Sequence, residues 1–190
     1  MVKNKINCAV LISGRGTNLK SIFKYSKTKK SKINLNLVLS DKLKAKGLIF
    51  ARKNKIKTIV INYKNKMDAE NQIIKYLRKY NIKLICLAGF MRILSKKILK
   101  IYKNKIINIH PSLLPKYKGL NTHERAIKHK EKFSGCTVHY VNEKLDSGKI
   151  IFKQSVKILK KDDPKMLAKK ILRVENNIYP KAIHKILSRI

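Results

Sequence analysis

The sequence predicts an α/β protein: a single doubly wound, mostly parallel sheet with an antiparallel edge hairpin and a C-terminal helix, in one domain over residues 1–190. Three observations carry this. Apolar runs rich in β-branched residues alternate with stretches of helical spacing, the signature of βαβ units and a parallel sheet. After residue 130 two further runs are joined by "NEKLDSG", too short for a crossover helix, so they pair as a hairpin. Asp162-Asp163-Pro164 then places acids and a proline where a helix N-terminus favours them.

In chain order, "INCAVLI" (6–12) is the first strand. The lysine-flanked start "MVKNKINCAVLISG" imitates a short signal peptide, but its apolar part is too short and runs into a glycine loop. Helical spacing over 17–26 comes next, then a strand "INLNLVLS" (33–40), a helix over 43–54 and a strand "IKTIVI" (56–61). A helix over 67–80, a strand "IKLICLA" (82–88), a helix over 94–103 and a strand "KIINI" (105–109) complete the alternation. The hairpin pairs "GCTVHYV" (135–141) with "KIIFKQSVKI" (149–158). No linker, repeat or low-complexity block interrupts the chain.

The hydrophobic fraction, 44%, suits a globular core, and no segment approaches the ~18 uninterrupted apolar residues of a membrane helix. Cys8, Cys86 and Cys136 are odd in number, widely spaced and set among apolar neighbours; they read as buried thiols in a reducing cytoplasm, not as a disulfide framework or metal site. The net charge of +37 has two readings. One is a polyanionic partner. The other is composition: lysines far outnumber the seven arginines and lie along the whole chain beside Ile and Asn, residue types that share A/T-rich codons. Nucleic-acid sites concentrate charge and favour arginine for bidentate contacts. The dispersed lysines therefore favour composition, with no specific nucleic acid and no membrane as partner.

Three segments carry chemistry. Ser13-Gly14-Arg15-Gly16-Thr17-Asn18 joins a strand to a helix, where backbone N–H groups and the helix N-terminus would suit a phosphate monoester. It is neither G-x-G-x-x-G nor a Walker A loop, so dinucleotides and ATP are not indicated. The alternative is an ordinary turn with Thr17 or Asn18 as the helix cap. In "AGFMRIL" (88–94), Phe90, Met91, Ile93 and Leu94 are either core or the wall of a cleft for a flat heterocycle. In "NIHPSLLPKYKG", Asn108 and His110 are two apart and project on one side of an extended strand end, a pairing that suits a carbonyl oxygen gaining negative charge. Pro111 and Pro115, two of only four prolines, stiffen the loop beyond the strand. His110 is otherwise a structural histidine, and Asp146 is a candidate partner to raise its pKa. The strands preceding all three segments end on one edge of a parallel sheet, where ligands bind.

"LISGRGTNL", "LAGFMRILS", "NIHPSLLPKYKGL" with "THERAI", "CTVHYVNEKLDSG" and "ENNIYP" occur in this order over roughly residues 5 to 187. Together they closely resemble the folate-dependent formyltransferases, and among them the phosphoribosylglycinamide formyltransferases of purine biosynthesis. The resemblance implies a Rossmann-like formyltransferase fold and a cytoplasmic transferase of one-carbon metabolism. Such an enzyme moves the formyl group of 10-formyltetrahydrofolate to the amine of glycinamide ribonucleotide. Gly16, Thr17 and Asn18 would bind the ribonucleotide's phosphate, and Leu172, Arg173, Val174 and Glu175 its glycinamide and ribose end. Met91, Arg92, Ile93 and Leu94, with Asn142, Glu143, Lys144, Leu145 and Asp146, would hold the folate beside Asn108. Lys66 stands where the family often has a folate-contacting arginine, keeping the charge without the fork. Asn108, His110 and Asp146 match the catalytic trio. The resemblance implies small-molecule partners, no metal and a monomer or weak homodimer. A formyltetrahydrofolate hydrolase would use the same trio with water as acceptor. At this length there is no room for the regulatory domain of that hydrolase or for the second domain of the tRNA formyltransferase; the C-terminal extension some relatives carry is also lacking, with little consequence expected because no motif residue lies there. A basic nucleic-acid-binding protein is the remaining alternative, and would need clustered arginines and aromatic platforms.

Overall fold

The computed structural model describes residues 5–188. Residues 1–4, part of the lysine-flanked start, lie outside them. Seven strands take the order β3-β2-β1-β4-β5-β6-β7 in a mostly parallel sheet with an antiparallel edge. The chain divides into two compact units, Met1–Ile107 and Asn108–Ile190.

The first unit holds β1 (Ile6–Ile12), α1 (Thr17–Ser26), β2 (Ile33–Ser40), α2 (Lys46–Lys53), β3 (Lys57–Val60), α3 (Lys66–Lys79), β4 (Leu84–Leu87) and α4 (Lys96–Ile101). β1 pairs in parallel with both β2 and β4, and β2 with β3. Cys8 to Ile12 are fully buried, as a central parallel strand covered on both faces requires. The order reverses direction at β1: the chain winds outward through β2 and β3, then returns to place β4 on the other side of β1. That reversal opens a crevice at the carboxyl ends of β1 and β4, the preferred ligand position in such sheets.

β5 (Ile106–His110) runs from the first unit into the second. The second unit continues with α5 (Thr122–Lys128), β6 (Phe133–Tyr140), β7 (Ile150–Lys157) and α6 (Pro164–Leu187). β6 and β7 form the expected hairpin. β6 is buried along nearly its whole length, whereas β7 alternates buried and exposed positions as an edge strand does. α6 packs on both of them. Asp163 caps α6 by accepting from the Met166 N–H at 2.6 Å, with Pro164 at the first helical position.

Most elements fall where the hydrophobic pattern puts them; the differences are local. α2 starts at Lys46, three residues later than the spacing suggests, because Lys42 to Ala45 form a turn closed by Ala45 N–H to Lys42 O. α4 starts after Ser95, whose N–H and hydroxyl both bond the buried Glu70 carboxylate of α3. α5 carries no continuous apolar stripe, and its pattern did not announce a helix. The cap of α1 is Gly16, in the left-handed region at φ 73°, not Thr17 or Asn18.

Candidate functional site

In the first unit, the loops after β1 and β4 are tied together. The Ser13 N–H donates to Gly89 O at 3.0 Å, and the Met91 N–H donates to Ser13 Oγ at 2.9 Å. Gly16 must be glycine on two counts: its positive φ, and a Cβ that would lie 2.6 Å from Gly47 Cα. Gly47 in turn donates its N–H to Gly14 O at 3.0 Å, so α2 braces the loop from behind. Nothing lies within 4 Å of where a Gly14 Cβ would sit. The loop thus presents open backbone at the start of α1, with Thr17 and the largely buried Asn18 opening the helix. Beside it, Met91 and Ile93 are 64% and 67% exposed while Leu94 is buried and Phe90 half-buried. The apolar group is therefore split between core and surface. Two large side chains left exposed on a well-tethered loop suit a cleft wall.

In the second unit, Asn108, His110 and Asp146 converge. His110 is 6% exposed. Its Nδ1 lies 3.3 Å from Asp146 Oδ2, and its Nε2 lies 2.9 Å from Tyr117 O. A carbonyl oxygen can only accept, so Nε2 carries a proton. Asp146 then faces Nδ1, and both contacts are satisfied together in the imidazolium form. Burial works against that charge and is the largest influence on His110. The Tyr117 carbonyl and Asp146 oppose it, His139 and Arg125 add to it, and the net pKa lies below the ordinary 6.5. Asp146 supports the imidazolium, as anticipated, without outweighing burial.

Asp146 sits in the left-handed region at φ 46° and accepts the Gly119 N–H at 2.9 Å. Burial alone would raise its pKa; the contacts with His139 and the Gly119 N–H, with the nearby histidines, more than offset it, and the net direction is downward. The proline-bearing loop is pinned from within. Ser112 Oγ donates to Lys116 O at 2.7 Å, Thr137 Oγ1 donates to Ser112 O at 2.7 Å, and the Leu114 N–H donates to Thr137 Oγ1 at 3.1 Å.

A fourth residue, His139, joins the trio. Its Nδ1 lies 2.8 Å from Tyr140 O and so carries a proton, and its Nε2 lies 3.3 Å from Asn108 Nδ2. Asp146 Oδ1 lies 3.6 Å from the same nitrogen. The Asn108 amide is thereby oriented, with an N–H left for a ligand. A register shift between Val138 and His139 in the hairpin re-aims this side chain. Sequence reasoning passed over His139 because alternation alone places it as one more strand residue; the only signal was a histidine on a buried strand.

A formyl transferase family profile matches residues 6–183. The chain belongs to the formyl transferase family. A curated phosphoribosylglycinamide formyltransferase of Haemophilus influenzae is 40% identical over 178 residues, covering 92% of this chain and 84% of that protein. The human trifunctional purine biosynthetic protein adenosine-3 is 39% identical over 189 residues, but this chain spans only 19% of its length. The crystal structure of a phosphoribosylglycinamide formyltransferase from Brucella melitensis superimposes with a TM-score of 0.92 at 36% identity, covering 96% of both chains.

The remaining anticipated residues of this member of the formyl transferase family are spread over four elements. Leu172, Arg173 and Val174 lie on α6 with Glu175, which is 8% exposed. Asn142, Glu143, Lys144 and Leu145 form an exposed turn, closed by the Lys144 N–H on Asn142 Oδ1. Lys66 is the exposed first residue of α3. Arg92, on the loop after β4, is already engaged, its Nε 2.7 Å from Asp41 Oδ2. Cys8, Cys86 and Cys136 are buried thiols outside any disulfide. Among the described residues no helix is long and apolar enough to cross a membrane.

Proposed function

We propose that this chain, acting as one formyltransferase domain over 1–190, transfers the formyl group of 10-formyltetrahydrofolate to the amine of glycinamide ribonucleotide in purine biosynthesis. The observation that carries the reading is the convergence of Asn108, His110 and Asp146, in a chain whose relatives include named phosphoribosylglycinamide formyltransferases. The attacking amine adds to the formyl carbon and gives a tetrahedral oxyanion. The free Asn108 N–H donates to it, and the positive charge of the His110 imidazolium, whose own N–H groups face Tyr117 O and Asp146, stabilises it through space. His110 then has its charge balanced by Asp146, which also helps order a water that relays the amine's proton. Collapse of the intermediate expels the folate nitrogen, which is reprotonated, and leaves the formyl amide. No covalent enzyme intermediate enters, and no cysteine is placed as a nucleophile.

Gly16, Thr17 and Asn18 would take the phosphate on N–H groups at the start of α1, and Leu172 to Glu175 the glycinamide and ribose end. Met91 to Leu94 and Asn142 to Asp146 would hold the pterin. Arg92 contributes there from a fixed position, its Nε held by Asp41. The partners are small molecules, the compartment is the cytoplasm, and the state is a monomer or weak homodimer. The test is a spectroscopic assay of folate product with and without glycinamide ribonucleotide. Product that forms only with the ribonucleotide supports the reading; equal turnover without it assigns hydrolysis instead.

A further inference from the structure

We propose that Asp41 is a positioning residue of the formyl-donor site, acting through Arg92 to fix where the Ala88–Leu94 loop presents Met91 and Ile93. The proposal rests on the reading of that loop as the donor's wall.

Asp41 directly follows β2, a segment that none of the anticipated site residues occupies. Its side chain is fully buried, and Oδ2 accepts from Arg92 Nε at 2.7 Å. Oδ1 has no hydrogen-bond partner among the described residues, so the compensation of this buried carboxylate runs through Arg92. The Arg92 guanidinium also lies over the Tyr63 ring, 5.0 Å from its centroid, and Tyr63 meets Phe90 edge-on at 6.1 Å. Burial and the nearby Glu70 and Asp41 carboxylates push the Tyr63 phenol upward, so it stays neutral as a ring platform.

Along the loop, nearly every residue is thereby held. Gly89 is tied by its carbonyl to Ser13, Phe90 by its ring to Tyr63, Met91 by its N–H to Ser13, and Arg92 by its side chain to Asp41 and Tyr63. Leu94 is buried and Ser95 is capped by Glu70. The parts left free are the Met91 and Ile93 side chains, the two exposed apolar groups. A backbone held at so many points that turns two apolar side chains outward is a preformed wall for a flat ring, and Asp41 is the charged anchor of its Arg92 side chain. Loss of the anchor should loosen the wall and weaken donor binding, while the Asn108–His110–Asp146 chemistry is left in place.

The experiment measures kcat and the KM of each substrate for Asp41→Ala, Asp41→Asn, Arg92→Ala, the Asp41→Ala/Arg92→Ala double variant, and Ile93→Glu. Asp41→Ala should raise the KM for 10-formyltetrahydrofolate about tenfold, the scale of one charge-assisted hydrogen bond, with kcat and the acceptor KM changed less than about threefold. Asp41→Asn keeps an acceptor for Nε and should recover part of the loss. Arg92→Ala strands a buried carboxylate, so it should melt lowest, and adding Asp41→Ala to it should restore stability. Ile93→Glu tests the donor reading itself. If it raises donor KM while Asp41→Ala does not, the anchor proposal is overturned and the donor reading stands. If Ile93→Glu leaves donor KM unchanged, the donor reading falls, and the anchor proposal with it. Equal losses in kcat and both KM values in Asp41→Ala would mark a merely structural residue and also overturn it.

Discussion

His110 is where burial and charge compete most directly. The proposed oxyanion role calls for its imidazolium, yet burial holds its pKa below 6.5 in the free protein. The activity limb that reports His110 should therefore fall as pH rises through a value below that of a free histidine, and Asp146→Asn should move it lower still. Turnover at pH 7 should drop steeply in that variant with nearly unchanged folding, since asparagine tolerates the left-handed backbone that Asp146 occupies. Asn108→Ala and His110→Ala should each cost on the order of a hundredfold in kcat, the scale of one oxyanion donor or proton-transfer group. Pairing either with Asp146→Asn should cost less than the product of the single effects. Near-normal turnover of Asp146→Asn at pH 7 would remove its assigned role. The same shift has a stability consequence. An unfolded histidine takes up a proton near 6.5 while folded His110 does so only at lower pH, so folding loses stability as pH falls from 6.5 through the folded value. His123, lowered mainly by burial, works in the same direction. Urea titrations of wild type and His110→Gln across that window should show a shallower pH dependence in the variant.

At the scale of elements, the turn between β1 and α1 offers the sharpest test. Gly16→Ala adds a methyl group 2.6 Å from Gly47 Cα in a backbone region disfavoured for side chains. It should weaken the acceptor, read as a rise in its KM well above any change for the folate donor, and lower the melting temperature. An unchanged acceptor KM would remove the phosphate role of this loop. The strands and the helices α1 to α4 and α6 were legible because apolar periodicity reports which face is buried. α5 was not, because its seven residues carry too little periodicity, and its capping residue Asn121 adopts a left-handed conformation that composition does not disclose. That Asn108, His110 and Asp146 come together was legible through side-chain type, the two-residue spacing and family motifs. His139 and Asp41 were not: the first depends on a register shift in the hairpin, the second on a contact between residues 51 positions apart. Tertiary pairing of that kind leaves no local pattern to read.

For the molecule as a whole, the dominant quantity is the +37 charge, from 47 basic and 10 acidic residues. Like charges at this density repel, so added salt should raise the melting temperature as screening shortens from ~30 Å at 0.01 M to ~10 Å at 0.1 M. Binding to duplex DNA should be weak, independent of sequence and steeply salt-sensitive. Tight, saturable binding to one nucleic-acid sequence at high salt would overturn the compositional reading of the charge. The three cysteines report on the folded molecule in another way. Cys8 and Cys86 lie in the first compact unit with their sulfurs 3.8 Å apart, Cys136 lies in the second, and all three are inaccessible to solvent. A thiol-alkylating reagent can reach none of them until the chain around them opens, and mass spectrometry of the peptides tells the two units apart. The native cysteines therefore form a two-channel clock for local unfolding that requires no engineered label: matched modification rates would mean the units open together, and a lead by Cys136 would mean the half carrying the Asn108–His110–Asp146 cluster opens first.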